Sequence, residues 1–505
     1  MTRHDLKAAK FADVVLFTGG LACALTFVYL VYSYTLTGRK YFTSLVGMSL
    51  YLGFPVAVAA LLFTALQLRS SHKINLALSI LSISASVYAA DLLLGVSMST
   101  RAGAEVTLWG IGRFSVEQKR DIVALAKRSG RDFDFRNRAE VVRDLRKQGI
   151  YAVPSLIPMD LLERQDDGMF SSKLTAGGAE ILLVSGISNK VTVMCNETGQ
   201  YTVYDSDEHG FHNPKGIWES GQVAIAALGD SFTSGACVPS NKNFVALIRN
   251  HYPATLNLGM LGQGPLIQLA ALKEYLPFVK PQIVLWFFFE GNDFGDLQTE
   301  SKSPLLRNYL KENLTQSLFH RQPEMDQLLT AYVEQALKIE LAKQNTSKEA
   351  LARQNASKGT LASLKMLEDI IKLSHLRQML GVVYGRNTLQ SQNRKDGEYR
   401  KAQLDLYRTI LVEAKESISA WGGALYFIYL PSRDKYANKK DDQRESILAM
   451  VRDINLPVID IYSSFQKQRD PLSLFPFRRF GHYNEEGNQV VAEAVLRSVA
   501  AKKSQ

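Results

Sequence analysis

Four short segments in the C-terminal half of the chain hold side chains suited to nucleophilic catalysis. Ser231 lies in Gly229-Asp230-Ser231-Phe232, directly after the apolar run Val223–Leu228, which reads as a strand. A serine on a tight turn at the carboxyl end of a sheet sits where open α/β folds place their ligands. Its hydroxyl becomes a nucleophile once a base removes the proton; the tripeptide alone also fits a plain turn. Asn257-Leu258-Gly259-Met260-Leu261-Gly262-Gln263-Gly264 is a glycine-rich loop, and glycine lets a backbone approach a ligand closely. Gly291-Asn292-Asp293 closes the most apolar strand, and Gly481-His482-Tyr483-Asn484-Glu485-Glu486-Gly487 precedes the last helix. None of the seven other histidines stands in a comparable context.

In order and spacing these four pieces resemble the SGNH hydrolase superfamily, also called the GDSL family, over about 221–505. The resemblance implies a catalytic serine at Ser231 and a general base at His482, a role that needs a pKa near the working pH. It also implies an oxyanion hole of three donors: the Ser231 backbone, the Gly262 backbone and the Asn292 side chain. Many members carry an aspartate three residues before the histidine to orient the ring. Here that position is Arg479, followed by Phe480. The expectation is a Ser–His dyad steadied by a backbone carbonyl; a substitute acid such as Asp470, or loss of activity, are the alternatives.

The elements around these residues set the fold class. Ile283–Phe289, Ala424–Leu430 and Val458–Ile461 are short apolar runs, as expected for strands buried on both faces. Helical stretches at about 401–420 and 484–502 separate or follow them. The alternation predicts an α/β fold, a three-layer α/β/α domain with a parallel sheet. A helical insertion at about 298–400 contains the near-repeat Leu341–Ala350 and Leu351–Thr360, and reads equally as a lid or as surface decoration.

Ahead of this domain, about 101–220 reads as a mixed α/β segment, with a helix over Ala139–Gln148 and strands at Ile181–Val184 and Val191–Met194. Asp205–Pro214 reads as a loop; His209, His212 and its acids allow a metal site, with a structural turn preferred. The stretches Arg138–Gln148, Gly186–Asn189 and Ser206–Pro214 look like a membrane-associated branch of the same superfamily, found with bacterial exopolysaccharide and cell-envelope loci.

Residues 1–100 hold three apolar runs, about 11–33, 43–67 and 75–97, each near the ~20 residues that cross a bilayer. They predict three N-terminal transmembrane helices; Ala22-Cys23-Ala24 alternatively resembles a signal cleavage site. Arg3, Lys7, Lys10, Arg69 and Lys73, against Arg39 and Lys40, place the N-terminus inside and the remainder outside the cytoplasmic membrane of a bacterium.

The net charge of +10 is spread among acids along the chain, without a base-reading motif, so nucleic acid is not an expected partner. Of three cysteines, Cys23 falls in an apolar run, and Cys195 and Cys237 could pair outside the cytoplasm. The combined expectation is a serine esterase or O-acyltransferase acting on acyl, chiefly acetyl, esters of an envelope or secreted polysaccharide. It needs no cofactor or metal, and an integral-membrane partner is a possible companion. Lipid ester or thioester hydrolysis and non-catalytic glycan binding in an assembly or export complex are the alternatives.

Overall fold

A computed structural model describes residues 3–36, 45–99, 106–107, 110–111, 116–219, 221, 223–311, 314–356, 389–437 and 443–503. The chain divides into two compact units, Met1–Gly103 with Arg353–Gly397, and Ala104–Ala352 with Glu398–Gln505.

The first unit holds α1 (Arg3–Leu36), α2 (Leu45–Ala65) and α3 (Ser70–Ser99). Among the described residues one stretch, Leu6–Tyr29, is long and apolar enough to cross a membrane, with mean hydropathy 1.9. Three such spans were expected, and the described residues supply one. In α2 the apolar stretch among the described residues is Gly53–Ala65. Glycines bring α1 close to α2: a side chain at Gly20 would meet the Phe63 ring at 3.0 Å. Lys73 of α3 pairs with Asp13 of α1 at 2.8 Å.

Among the described residues the second unit contains two sheets of three or more strands, beside three two-stranded ones. The smaller joins β1 (Ala152–Pro154), β2 (Val191–Val193) and β3 (Val203–Asp205), with β1 parallel and β3 antiparallel to the central β2. The larger is formed by β4 (Ile225–Leu228), β5 (Thr255–Asn257), β6 (Ile283–Phe289), β7 (Ala424–Leu430) and β8 (Val458–Asp460). Its order is β5-β4-β6-β7-β8, and every pairing is parallel. β6 and β7 run as the apolar segments predict; β5 is too short and too mixed in sequence to stand out.

Strand alternation divides the interior into two cores. Val284, Trp286 and Phe288 of β6, with Leu425, Phe427 and Tyr429 of β7, face one core together with the helices Pro265–Val279 and Leu389–Ser419. Leu285, Phe287, Tyr426, Ile428 and Leu430 face the other, against Phe244–Arg249 and Glu485–Lys503. Both sheet faces are thus covered, which is why the central strands lack polar alternation.

The segment before β4 shares the first core instead of folding apart. Ile181, Leu182, Leu183, Phe211 and Trp218 pack within it. Ile181–Val184 is buried but forms no strand, a correction to the expected one. The helix Arg138–Lys147 starts at a capping box of Asn137 and Glu140 and buries Val141 and Val142. Leu337, on the helix Gln322–Ala356, packs against these valines. That helix carries the first copy of the near-repeat and the second as far as Ala356; 357–360 lie outside the described residues.

Candidate active site

The turn after β4 forms because each residue suits its place. A side chain at Gly229 would lie 2.1 Å from Thr233 Oγ1, so only glycine lets the chain turn there. Asp230 caps the single helical turn Ser231–Ser234, accepting from the Phe232 N–H at 2.9 Å. Gly235 ends it at φ +82. Ser231 is thereby held, 8 % exposed, at the carboxyl end of a central strand.

His482 Nε2 lies 2.8 Å from Ser231 Oγ. Its Nδ1 lies 2.9 Å from Glu197 Oε1, while the His482 backbone N–H donates to Glu197 Oε2 at 3.0 Å. One carboxylate therefore holds both the ring and the backbone of the histidine. A carboxylate at Nδ1 keeps hydrogen on that nitrogen and leaves the Nε2 lone pair for the serine hydroxyl.

The expected dyad is thus corrected to a serine–histidine–glutamate relay. Glu197 fills the position relative to the ring that Arg479 cannot. Arg479 turns outward to Asp121 at 3.6 Å, with 39 % of its side chain exposed. Asp470, named as a substitute acid, pairs with Arg478 instead.

Glu197 is positioned by its own loop. Hydrogen bonds from Met194 N to Thr202 O and from Thr202 N to Cys195 O close residues 195–202 into a narrow turn. Gly199 at φ +113 lies so near Asp132 that a side chain there would meet its carbonyl oxygen at 2.4 Å. The Thr198 and Thr202 hydroxyls donate to the carbonyls of Cys237 and Val238. A disulfide between Cys195 and Cys237 ties the same loop to the segment after the serine turn. Pairing of these cysteines was the one sequence signal that could have drawn attention to Glu197, two residues from one of them and linked to a position six residues after Ser231.

Burial pushes the His482 pKa down, but the Glu197 charge and hydrogen bond, with Asp230 adding to them, raise it above the ordinary histidine value. Asp230 itself is raised by burial.

Gly262 and Asn292 lie after β5 and β6, the two strands flanking β4, so both loops open at the same sheet edge as Ser231. Gly262 has φ +60, and a Cβ there would meet Ile157 Cγ2 at 2.8 Å. The Asn257 side chain fixes this loop to the serine turn, donating to Thr233 O at 2.8 Å and accepting from Gly259 N at 2.9 Å. The Asn292 amide donates one hydrogen to Asp296 Oδ2 at 2.9 Å. Beneath these loops burial drives Asp296 up to about 7 and Glu300 up to about 8.

His209 and His212 do not converge on a common point. Asp207 organises their loop by accepting from Asn213, from Trp218 and from the His209 and Phe211 N–H groups. His209 stacks on Phe319, whereas His212 Nδ1 lies 2.8 Å from the Ser234 carbonyl oxygen, bracing the serine turn. Next to the acid loop opens a groove of about 750 Å³ lined by Arg131, Gln200, Tyr201, Asn241 and Glu485.

No protein-family model matches the chain, and no curated protein does. Among solved structures, it is similar to a two-domain esterase active on acetylated mannans, crystallised with mannopentaose. Identity is 13% and the TM-score 0.29, over 57% of this chain and 52% of that one. It is also similar to the psychrotrophic esterase EstA from Pseudoalteromonas sp., inhibited by monoethylphosphonate. There identity is 10% and the TM-score 0.27, over 56% of this chain and the whole of that one. The match thus spans about half the length of the mannan esterase. Likeness at this level leaves the site to be read from its own geometry.

Proposed function

We propose that the protein is a serine esterase or O-acyltransferase of SGNH type. The observation that carries the reading is the continuous relay from Ser231 Oγ through His482 to Glu197. His482 takes the hydroxyl proton as Ser231 attacks an ester carbonyl. The oxyanion is met by the Ser231 and Gly262 backbone N–H groups and by the Asn292 amide. The protonated imidazole then gives its proton to the leaving alkoxide, and an acyl-serine remains. Water, or a sugar hydroxyl in a transferase, attacks the acyl group with His482 as base again, and Ser231 recovers its proton.

The substrate class we favour is an acyl, chiefly acetyl, ester of an envelope or secreted polysaccharide. Support comes from the resemblance of residues 132–214 to a membrane-associated branch and from the polar groove beside the acid loop, which suits hydroxyl-rich chains. The apolar stretch Leu6–Tyr29 suits an anchor in the cytoplasmic membrane, with α2 and α3 as further spans and the catalytic unit outside. A paired Cys195 and Cys237 fits an oxidising compartment. The non-catalytic glycan-binding reading drew on Arg479, and Arg479 faces away from the ring.

The test is turnover of p-nitrophenyl acetate and labelling by a fluorophosphonate, using the full-length protein with Ser231→Ala and His482→Ala beside it. Both signals are expected in wild type and in neither variant. A folded wild type that shows neither overturns simple-ester hydrolysis.

A further inference from the structure

Beside the relay lies a set of donor atoms that the esterase mechanism does not use together. Cys237 Sγ is 3.8 Å from His482 Nδ1, and Sγ, Nδ1 and a Glu197 carboxylate oxygen all lie within 4.8 Å of one another. Around a tetrahedral zinc ion, with bonds of about 2.3 Å to sulfur and about 2.0 Å to nitrogen or oxygen, donors stand roughly 3.3–3.7 Å apart. The sulfur–nitrogen separation is already close to that spacing. Cys237 and Glu197 are both buried, which shields the position from bulk water.

In the oxidised protein this set lacks its strongest donor, because the Cys237 sulfur is bonded to Cys195 and carries no charge. An external dithiol supplies the two electrons that change this. The Cys195–Cys237 bond breaks, each sulfur takes a proton, and the dithiol leaves as its cyclic disulfide.

We propose that the reduced protein binds a zinc-class divalent cation through Cys237 Sγ, His482 Nδ1 and the Glu197 carboxylate, and that the bound ion shuts the serine–histidine pair off. Cys195 offers a further thiol for a fourth bond. On binding, the Cys237 thiol proton leaves to solvent and the ring proton moves from Nδ1 to Nε2. Nε2 then has no lone pair for the Ser231 hydroxyl, and Glu197 no longer orients the ring. Reduction followed by metal capture thus converts the relay into a closed metal site. The shut-off rests on the proposed esterase function; the metal site does not.

The test uses the full-length protein, reduced with dithiothreitol, freed of reductant without oxygen, and titrated with Co²⁺ or Zn²⁺. Reduced wild type and Cys195→Ser are expected to give a thiolate-to-cobalt charge-transfer band and to lose p-nitrophenyl acetate turnover on zinc addition. Oxidised wild type and Cys237→Ala are expected to do neither. Cys195→Ser and Cys237→Ala lose the same disulfide, so matched melting curves separate loss of the thiol from loss of the fold. Absence of the band in reduced wild type, or an equal band in Cys237→Ala, overturns the site. A band with undiminished turnover overturns the shut-off. Turnover missing from oxidised protein before any metal is added counts against the esterase reading instead, and the band still judges the site.

Discussion

Glu197 Oε1 lies 2.9 Å from Nδ1 of His482, a residue 285 positions further along the chain. Neither residue can be replaced by a neighbour in sequence, because the acid comes from a turn beside the small mixed sheet and the base from the loop before the last helix. The relay therefore depends on how that small sheet is docked against the large one. Its energetic weight can be measured.

Glu197→Gln keeps the shape of the contact and removes the charge. We expect kcat to fall by about 10²–10⁴, the range for loss of the orienting acid in a serine–histidine pair. Glu197 raises the His482 pKa, and a base must be neutral to act. The acid limb of the residual pH–rate profile should consequently move to lower pH. A limb that stays in place would mean that Glu197 does not set the basicity of the ring.

Arg479→Ala should leave kcat within about threefold, since an exposed ion pair such as that with Asp121 contributes only about 0–1 kcal/mol. Arg479→Asp in a Glu197→Gln background should fail to restore the rate, because the side chain points away from His482. Recovery of activity in that double variant would show that the loop can turn Arg479 inward.

Asn292→Ala should lower kcat by about 10²–10³ with KM little changed, as expected for a donor that acts chiefly on the developing oxyanion. Gly262→Ala should cost more than activity. The added methyl meets Ile157 and forces an L residue to φ +60, so thermal stability should drop by about 1–2 kcal/mol as well. An Asn292→Ala variant with raised KM and unchanged kcat would move Asn292 from transition-state binding to ground-state binding.

Glu300 gives a pH-dependent stability with a definite sign. Its folded pKa, about 8, lies above the ordinary carboxyl value because the group is buried. Its favourable contribution is complete below about pH 4, where the unfolded group is also protonated, and is lost as pH rises through 8. Thermal stability of wild type should therefore fall between about pH 5 and pH 8. Glu300→Gln, which can still accept from the Leu266 N–H, should flatten that dependence. Parallel curves for the two proteins would place the pH effect on other groups.

Ser231 and His482 were legible as a pair because each stands in a short local motif that resembles a known superfamily, and the structure brings the two together. The strands at Ile283–Phe289 and Ala424–Leu430 were legible for a related reason, since burial on both faces leaves an unbroken apolar run. Glu197 had no such mark. It lies in Cys195-Asn196-Glu197-Thr198-Gly199, a polar turn like many others, and its role follows from a contact that no local spacing encodes. Arg479 misled for the same reason: sequence fixes its distance from His482 along the chain, and only the path of the loop decides which way the side chain turns. Nor could composition separate residues 101–220 from the catalytic domain, because Leu182, Phe211 and Trp218 are apolar whether they fill their own core or, as here, that of the large sheet. Local chemistry is written in residue type and spacing, whereas the meeting of distant groups is decided by which surfaces exclude water together.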